Sequence, residues 1–228
     1  MKLTYYGHSC FLIETDGKKL LFDPFISGNP LVKDFDVNTI EADFILVSHA
    51  HDDHVGDLVT IAKNTGAKVI CAFEIMLWLN EKGVENVHPM NTGGGFNFDF
   101  GRVKCTVAQH SSGFGDRSYG GNPMGFVVTT NEATFYYSGD TALTMDMQLV
   151  PYWGKIDFAL FPIGDNFTMD AKDAAIAADF VKTPKVIGLH YDTFGYIVID
   201  KEEAKKAFDN DKAILVLPDI FETINPLS

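Results

Sequence analysis

The order of strand-like and helix-like segments constrains this chain most. A β-rich stretch leads into alternating strands and helices, and then the whole order repeats. Runs Lys2–Tyr6, Cys10–Glu14 and Lys19–Phe22 read as strands, the last two joined near Asp16-Gly17, a hairpin signal. Phe44–Val47 is apolar throughout, as in a strand buried on both faces. Helix Asp57–Asn64, strand Lys68–Cys71 and helix Phe73–Lys82 follow, the helices stopped at Gly66 and Gly83. The second pass has strands Phe96–Phe100, Arg102–Gln109, Met124–Thr130 and Thr134–Tyr137. Apolar strands Phe158–Ile163, Val186–Leu189 and Ile214–Leu217 come after them. Between these, Asp170 and Asp200 are N-cap residues for helices Ala171–Val181 and Lys201–Asp209. Two halves of that kind predict an α/β fold whose sheets pack face to face with helices outside, a four-layer αββα sandwich. No linker or low-complexity tract divides residues 1–228, so a single domain is expected.

Composition narrows the partners. With 46% hydrophobic residues and 19 Phe the chain can bury a sizeable core, which excludes a disordered protein. A net charge of −13 repels phosphate backbones and argues against a nucleic-acid partner, while leaving room for one small, possibly anionic substrate. Cys10, Cys71 and Cys105 are odd in number and sit in or beside apolar runs, as buried thiols in a reducing compartment do. The apolar runs are far too short to cross a membrane, and Gly7, His8 and Ser9 interrupt the first of them. A cytoplasmic protein without membrane contact is expected, and homo-oligomerisation is open.

The chemistry is concentrated in Ser48-His49-Ala50-His51-Asp52-Asp53-His54, directly after the Phe44–Val47 strand. For this composition H-x-H-x-D-H arises by chance roughly six times in ten thousand, which sets aside a merely solvated loop. Ligand sites collect where sheet strands end and the chain turns outward. His49 and His51, two residues apart, can face one ion, while Asp53 and His54 bend toward a second. Zinc, manganese, iron and nickel all accept such nitrogen and oxygen donors. His110, Asp140 and His190 fall at later strand ends and complete the donors that two ions need, with one carboxylate able to bridge.

The run, the later lone His110, the Ser138-Gly139-Asp140-Thr141 aspartate and the final strand-end His190 resemble the metallo-β-lactamase superfamily, in order and over the whole chain. The resemblance implies His49, His51 and His110 on one metal, Asp53, His54 and His190 on the other, and Asp140 between them. Gly7-His8-Ser9-Cys10-Phe11-Leu12-Ile13, Phe22-Asp23-Pro24 and Pro162-Ile163-Gly164 are similar to a narrower branch that includes the L-ascorbate-6-phosphate lactonase type and other metal-dependent hydrolases. Oxygen-reducing diiron members of the superfamily carry Glu where this chain has His51, so the resemblance favours hydrolysis. Its implied function is hydrolysis of a small ester, lactone or phosphoester by a metal-bridged hydroxide. The cofactors are two divalent transition-metal ions, zinc foremost and manganese, nickel or iron as alternatives. A phosphodiesterase acting on a nucleotide or nucleic acid, and a non-catalytic metal-binding scaffold, are the competing readings.

Asp53 and Asp140 are the candidates for accepting and returning a proton. His8 is open between a turn histidine, a substrate contact or proton donor, and a metal ligand. It is expected inside the active-site cavity, on the side of Asp53, His54 and His190. Ser48, Ser138 and Thr141 are candidates for holding the imidazoles. Arg117 and Tyr119, in the long Gly-rich Ser112–Asn122 loop, are candidate substrate residues, Arg117 as a reader of an anion. Phe167 and Tyr191 are candidate pocket walls.

Overall fold

Strands β1 (Lys2–Gly7), β2 (Cys10–Thr15) and β3 (Lys18–Phe22) form an antiparallel meander in the computed structural model, which describes residues 1–209 and 213–228. Asp16 and Gly17 both have positive φ, 50° and 74°, the backbone of a tight two-residue hairpin whose twist matches the flanking strands. From β3 the sheet continues in parallel through β4 (Phe44–Leu46). After β4 come α1 (Asp52–Val55) and α2 (Leu58–Thr65), then β5 (Lys68–Ala72), α3 (Phe73–Glu81) and β6 (Val87–Met90). Neither α1 nor β6 is legible in the sequence. The first is a single turn, and the second contains Pro89, which an edge strand tolerates.

The second half repeats the plan. Strands β7 (Gly95–Phe98), β8 (Gly101–Val107), β9 (Met124–Thr129) and β10 (Thr134–Tyr137) are antiparallel. A 3-10 segment, Met145–Trp153, then leads to β11 (Phe158–Pro162), α4 (Ala171–Val181), β12 (Lys185–Leu189), α5 (Lys201–Lys206) and β13 (Ile214–Val216). The strands β10 to β13 run parallel. Asp170 and Asp200 cap α4 and α5 as expected, Asp170 accepting the Asp173 N–H and Asp200 those of Glu202 and Glu203. The α5 helix stops at Lys206, short of the expected Asp209. A last strand, β14 (Thr223–Ile224), returns to the first sheet beside β1. Each sheet has seven strands, in the orders β14-β1-β2-β3-β4-β5-β6 and β13-β12-β11-β10-β9-β8-β7.

Alternation along the strands shows how the layers meet. Phe126, Val128, Phe135, Phe158, Leu160 and Ile187 join a core shared with Phe11, Phe22 and Leu46 of the first sheet. Phe22 meets Phe135 at 6.0 Å and Phe11 meets Tyr137 at 5.1 Å, so the sheets pack face to face. Their neighbours Val127, Tyr136, Ala159, Phe161 and Val186 point the other way, into a second core under α4 and the 3-10 segment. Both faces of this sheet are therefore apolar, which explains the unbroken apolar runs. Each fully buried Phe contributes roughly 1.5–3 kcal/mol of transfer free energy. The helices, two sheets and helices form the α/β sandwich of four layers.

Candidate metal centre

Six strands deliver their C-terminal ends to one rim of the sandwich. His8 follows β1, Asp23 follows β3, and Ser48 to His54 follow β4. On the other sheet His110 follows β8, Asp140 follows β10 and His190 follows β12. The expected strand Arg102–Gln109 ends at Val107 because Gln109 leaves the ladder, its N–H donating to Thr141 Oγ1 at 2.9 Å. Three of these residues turn through left-handed backbone: His8 (φ 55°), Asp23 (φ 40°) and His190 (φ 56°). Such geometry in non-glycine residues costs about 1–3 kcal/mol each and persists only when surroundings enforce it. Here the His190 N–H donates to the His8 carbonyl at 2.9 Å, and the Asp23 N–H donates to the Leu46 carbonyl at 3.0 Å.

Two donor clusters result. His49, His51 and His110 bring three imidazole nitrogens within 4.8 Å of one another, and His8, Asp53, His54 and His190 do the same with four donor atoms. The single turn of α1 separates the clusters. His51 precedes it in extended backbone, while Asp53 and His54 lie within it, so successive side chains splay around the helix axis. Asp140 Oδ2 stands between the clusters, 2.9 Å from His190 Nε2, 3.2 Å from His54 Nε2 and 3.8 Å from His110 Nε2.

The protons of these imidazoles can be assigned from their partners. Ser48 Oγ donates to Asp23 Oδ2, so it accepts from His49 Nδ1 at 2.9 Å and leaves His49 Nε2 with a bare lone pair. That lone pair faces His51 Nδ1 at 2.9 Å. His54 Nδ1 donates to Asp23 Oδ2 at 2.7 Å, and among the described residues the buried His54 Nε2 has no hydrogen-bond partner. Asp140 Oδ1 and His190 Nδ1 are likewise buried and unpaired. Each such atom costs about 1–3 kcal/mol if nothing meets it. Converging lone pairs, orphaned donor atoms and a mixed imidazole–carboxylate set are what a divalent transition metal requires. Asp23 forms a third compact set with His49 and His54. Its oxygens are already filled by Ser48 N, Ser48 Oγ, His54 Nδ1 and the Tyr137 hydroxyl, so it orients ligands instead of binding an ion.

Comparison with known proteins agrees with this geometry. Residues 2–190 match the family described as "Beta-lactamase superfamily domain". The chain belongs to the metallo-β-lactamase superfamily. Within it, the chain is 53% identical to a "UPF0173 metal-dependent hydrolase" of Flavobacterium johnsoniae over 218 residues, covering 95% of this chain and 96% of that protein. A relative of the same description from Christiangramia forsetii is also 53% identical, over 98% and 99% of the two chains. Igni18, a metallo hydrolase from Ignicoccus hospitalis, superposes with a TM-score of 0.87 at 34% identity, covering 98% of this chain and 97% of that one. These relatives place this member of the superfamily among metal-dependent hydrolases.

Electrostatics divide the two clusters of this superfamily site. Burial holds the His49 imidazole well below its ordinary value, and the neighbouring His54 adds to that. Burial lowers His51 and His110 too, against the opposing pull of Asp53 and Asp140 respectively. For His54 burial acts downward, but Asp140 and Asp23 outweigh it and hold the imidazole well above its ordinary value. Burial pushes Asp140 up, yet His190 and His54 keep it well below the carboxylate range. Asp53 is likewise raised by burial and, on balance, lowered by the His8 imidazole against its Oδ2 and by His54. Burial and then His190 push His8 down to about 4.

Other candidates fall differently. Ser48 contacts His49, but Ser138 Oγ turns to the Gly139 carbonyl, and Thr141 Oγ1 accepts the Gln109 N–H beside His110 and donates to the Ala142 carbonyl. The Ser112–Asn122 loop does lie against the metal run, since Ser112 Oγ accepts the Ala50 N–H and a Cβ on Gly120 would meet Ala50 Cβ. Arg117 is exposed and its side chain makes no hydrogen bond or ion pair with the described residues, while Tyr119 bonds Asn122. Phe167 is exposed, 6.1 Å from Tyr196. Tyr191 is buried in the second core, with Lys201 Nζ 5.5 Å from its ring. The left-handed turn at His190 sends the next side chain inward. The sequence offers no role for Asp23 beyond its place in Phe22-Asp23-Pro24, and none for Tyr137 or Thr193. A strand-end Asp before Pro24 was the available signal for the first, whereas the other two become visible only when distant strands meet.

Proposed function

We propose that the protein hydrolyses a small ester, lactone or phosphoester using two divalent transition-metal ions. His49, His51 and His110 hold one, Asp53, His54 and His190 hold the other, and Asp140 lies between. The observation that carries this reading is the single Asp140 oxygen facing imidazoles of both clusters. Zinc suits the donors best, with manganese, iron or nickel as alternatives.

Bound ions supply an acidified water and a Lewis acid for the scissile carbonyl or phosphoryl group. The chain's own residues do the rest. Asp23 and Ser48 hold Nδ1 of His54 and of His49, so that Nε2 of each ring faces the site. Asp53 is the more exposed of the two cluster carboxylates, with side-chain exposure of 26% against 3% for Asp140. Its Oδ2 faces His8, so a proton taken from the water and returned to the leaving group is carried at Oδ1. Phe167 and Tyr196 stand exposed on the loops after β11 and β12, at the same end of the sandwich, where they can flank an apolar part of a small substrate. Metal analysis of untreated protein by mass spectrometry, joined to a screen of esters, lactones and phosphoesters, tests the reading. Two ions per chain and turnover abolished by a chelator are expected. A ceiling of one ion per chain, or hydrolysis indifferent to chelation, overturns it.

A further inference from the structure

His8 has a place in the second cluster that the seven-ligand assignment does not use. Its side chain is fully buried, with the rings of Phe25 and Phe194 at 5.7 and 5.4 Å. A group so enclosed is poorly placed to donate a proton to a substrate arriving from solvent. Its Nε2 lies 3.1 Å from Asp53 Oδ2 and shares the 4.8 Å donor cluster with His54 and His190.

The other ring nitrogen explains the orientation. His8 Nδ1 is 2.9 Å from Thr193 Oγ1, and that hydroxyl reaches the Tyr191 carbonyl at 3.3 Å. When Thr193 donates to the carbonyl it accepts from His8 Nδ1–H, which leaves Nε2 with a bare lone pair beside a carboxylate oxygen. A cation between the two resolves that repulsion. Asp23, Ser48 and His49 make the same relay on the other cluster, where an acceptor, a hydroxyl and Nδ1 stand in line.

We propose that His8 is a ligand of the ion held by Asp53, His54 and His190, and that Thr193 is the positioning residue that fixes its imidazole. The assignment rests on the two-ion reading and gives the second site as many imidazoles as the first, with the Asp53 carboxylate in addition. It also accounts for the left-handed backbone at both His8 and His190, since their rings, 4.1 Å apart, must converge on one point. Thr193 connects the site to the Phe194–Ile197 turn and so to the loop carrying Tyr196.

His8→Asn tests this, because Asn tolerates left-handed backbone and is too short to reach the ion. Cobalt(II) is titrated into metal-stripped wild type, His8→Asn and Thr193→Val, with visible absorption reporting the donor set. Circular dichroism and the thermal midpoint in chelator report the fold, and His8→Gln is the second variant should His8→Asn fail to fold. His8→Asn is expected to weaken one of two cobalt sites by more than about 100-fold and to change its spectrum. Thr193→Val, which keeps the imidazole, is expected to weaken the same site by roughly 10–100-fold with the spectrum retained at saturation. Folded His8 variants with wild-type affinity and spectrum at both sites overturn the proposal and leave the hydrolase reading standing. A wild type that takes up a single ion overturns the two-ion reading, and the His8 assignment with it if that ion is indifferent to His8→Asn. A wild type that binds none overturns both.

Discussion

The two donor clusters are built from the same strand-end loops yet differ in what lies behind them. His51 and His110 are half-buried, and hydroxyls of Ser48 and Ser111 contact the imidazoles of His49 and His51. The His54 cluster is deeper. It contains Asp53, stands closest to Asp140, and rests on Asp23 through His54. The backbone is left-handed at its His8 and His190 and at the supporting Asp23. The first site is thus an almost neutral set of imidazoles, two of them half-buried and His49 fully buried, the second a negatively charged set fixed by tertiary contacts. Charge compensation and rigidity favour tighter binding at the second.

The largest effect is expected where the clusters meet. Asp140→Ala removes the oxygen that both face and should lower kcat by on the order of 10³-fold, from a few kcal/mol of lost transition-state stabilisation. Steady-state turnover on any substrate found by screening checks this, and near-wild-type rates would break the picture of one joint site. Next in size is the difference in metal release. Chelator titration should strip the His49–His51–His110 ion first, and Ser48→Ala should weaken that ion by about 10-fold or more while sparing the other. A single release phase, unchanged by Ser48→Ala, would erase the distinction.

Protons sharpen it further. His49, His51 and His110 are held below the ordinary imidazole value, so near neutral pH they are already free of the proton a metal must displace. His54 is held above it, so its Nε2 keeps a proton until an ion arrives. Filling the second site should therefore release about one proton per chain near pH 7, and filling the first almost none. Calorimetry in buffers of different ionisation heat measures this, and equal release at both sites would contradict it. Metal content and activity should both fall at acid pH, with the affinity of the second site falling more steeply per unit of pH.

The smallest effect belongs to the opposite end of the molecule. Glu132 accepts from the Met1 ammonium, the Asp16 N–H and Thr15 Oγ1, tying the β2–β3 turn to the β9–β10 turn. The hydrogen bond from the ammonium pulls its carboxyl down to about 2. A depressed carboxyl contributes stability above its unfolded value, near pH 4.3, that is lost as pH falls toward the folded one. At this partly exposed position the contribution is no more than about 0.5 kcal/mol after solvent screening. Glu132→Gln should shift the thermal midpoint slightly at pH 7, not at all near pH 2, and should leave metal content untouched. A loss of bound metal would mean that the two ends of the sheets are coupled.

Much of this architecture was readable along the chain because its signals are local. The Asp16-Gly17 hairpin, the Asp170 and Asp200 caps and the two-faced apolar runs each depend on neighbouring residues alone. The placement of His49, His51, Asp53, His54, His110, Asp140 and His190 at strand ends followed from the same reading. Short elements were missed where propensity opposes them, as in β6 with its Pro89, or where one turn leaves no period, as in α1.

What the sequence determined by itself was the inventory: two α/β halves, and a set of imidazoles and carboxylates parked where strands end. The tertiary structure decided which of them share an ion-sized space and in which tautomer. Asp23, Ser48 and Tyr137 come from three strands, yet meet at one carboxylate. Thr193 reaches His8 across 185 positions of sequence separation. Tyr191, beside a site residue in sequence, turned into the core because the backbone at His190 is left-handed. Hydrogen bonds act over about 3 Å in space and carry no periodic trace along the chain, so only the packing of one sheet on the other could assign them.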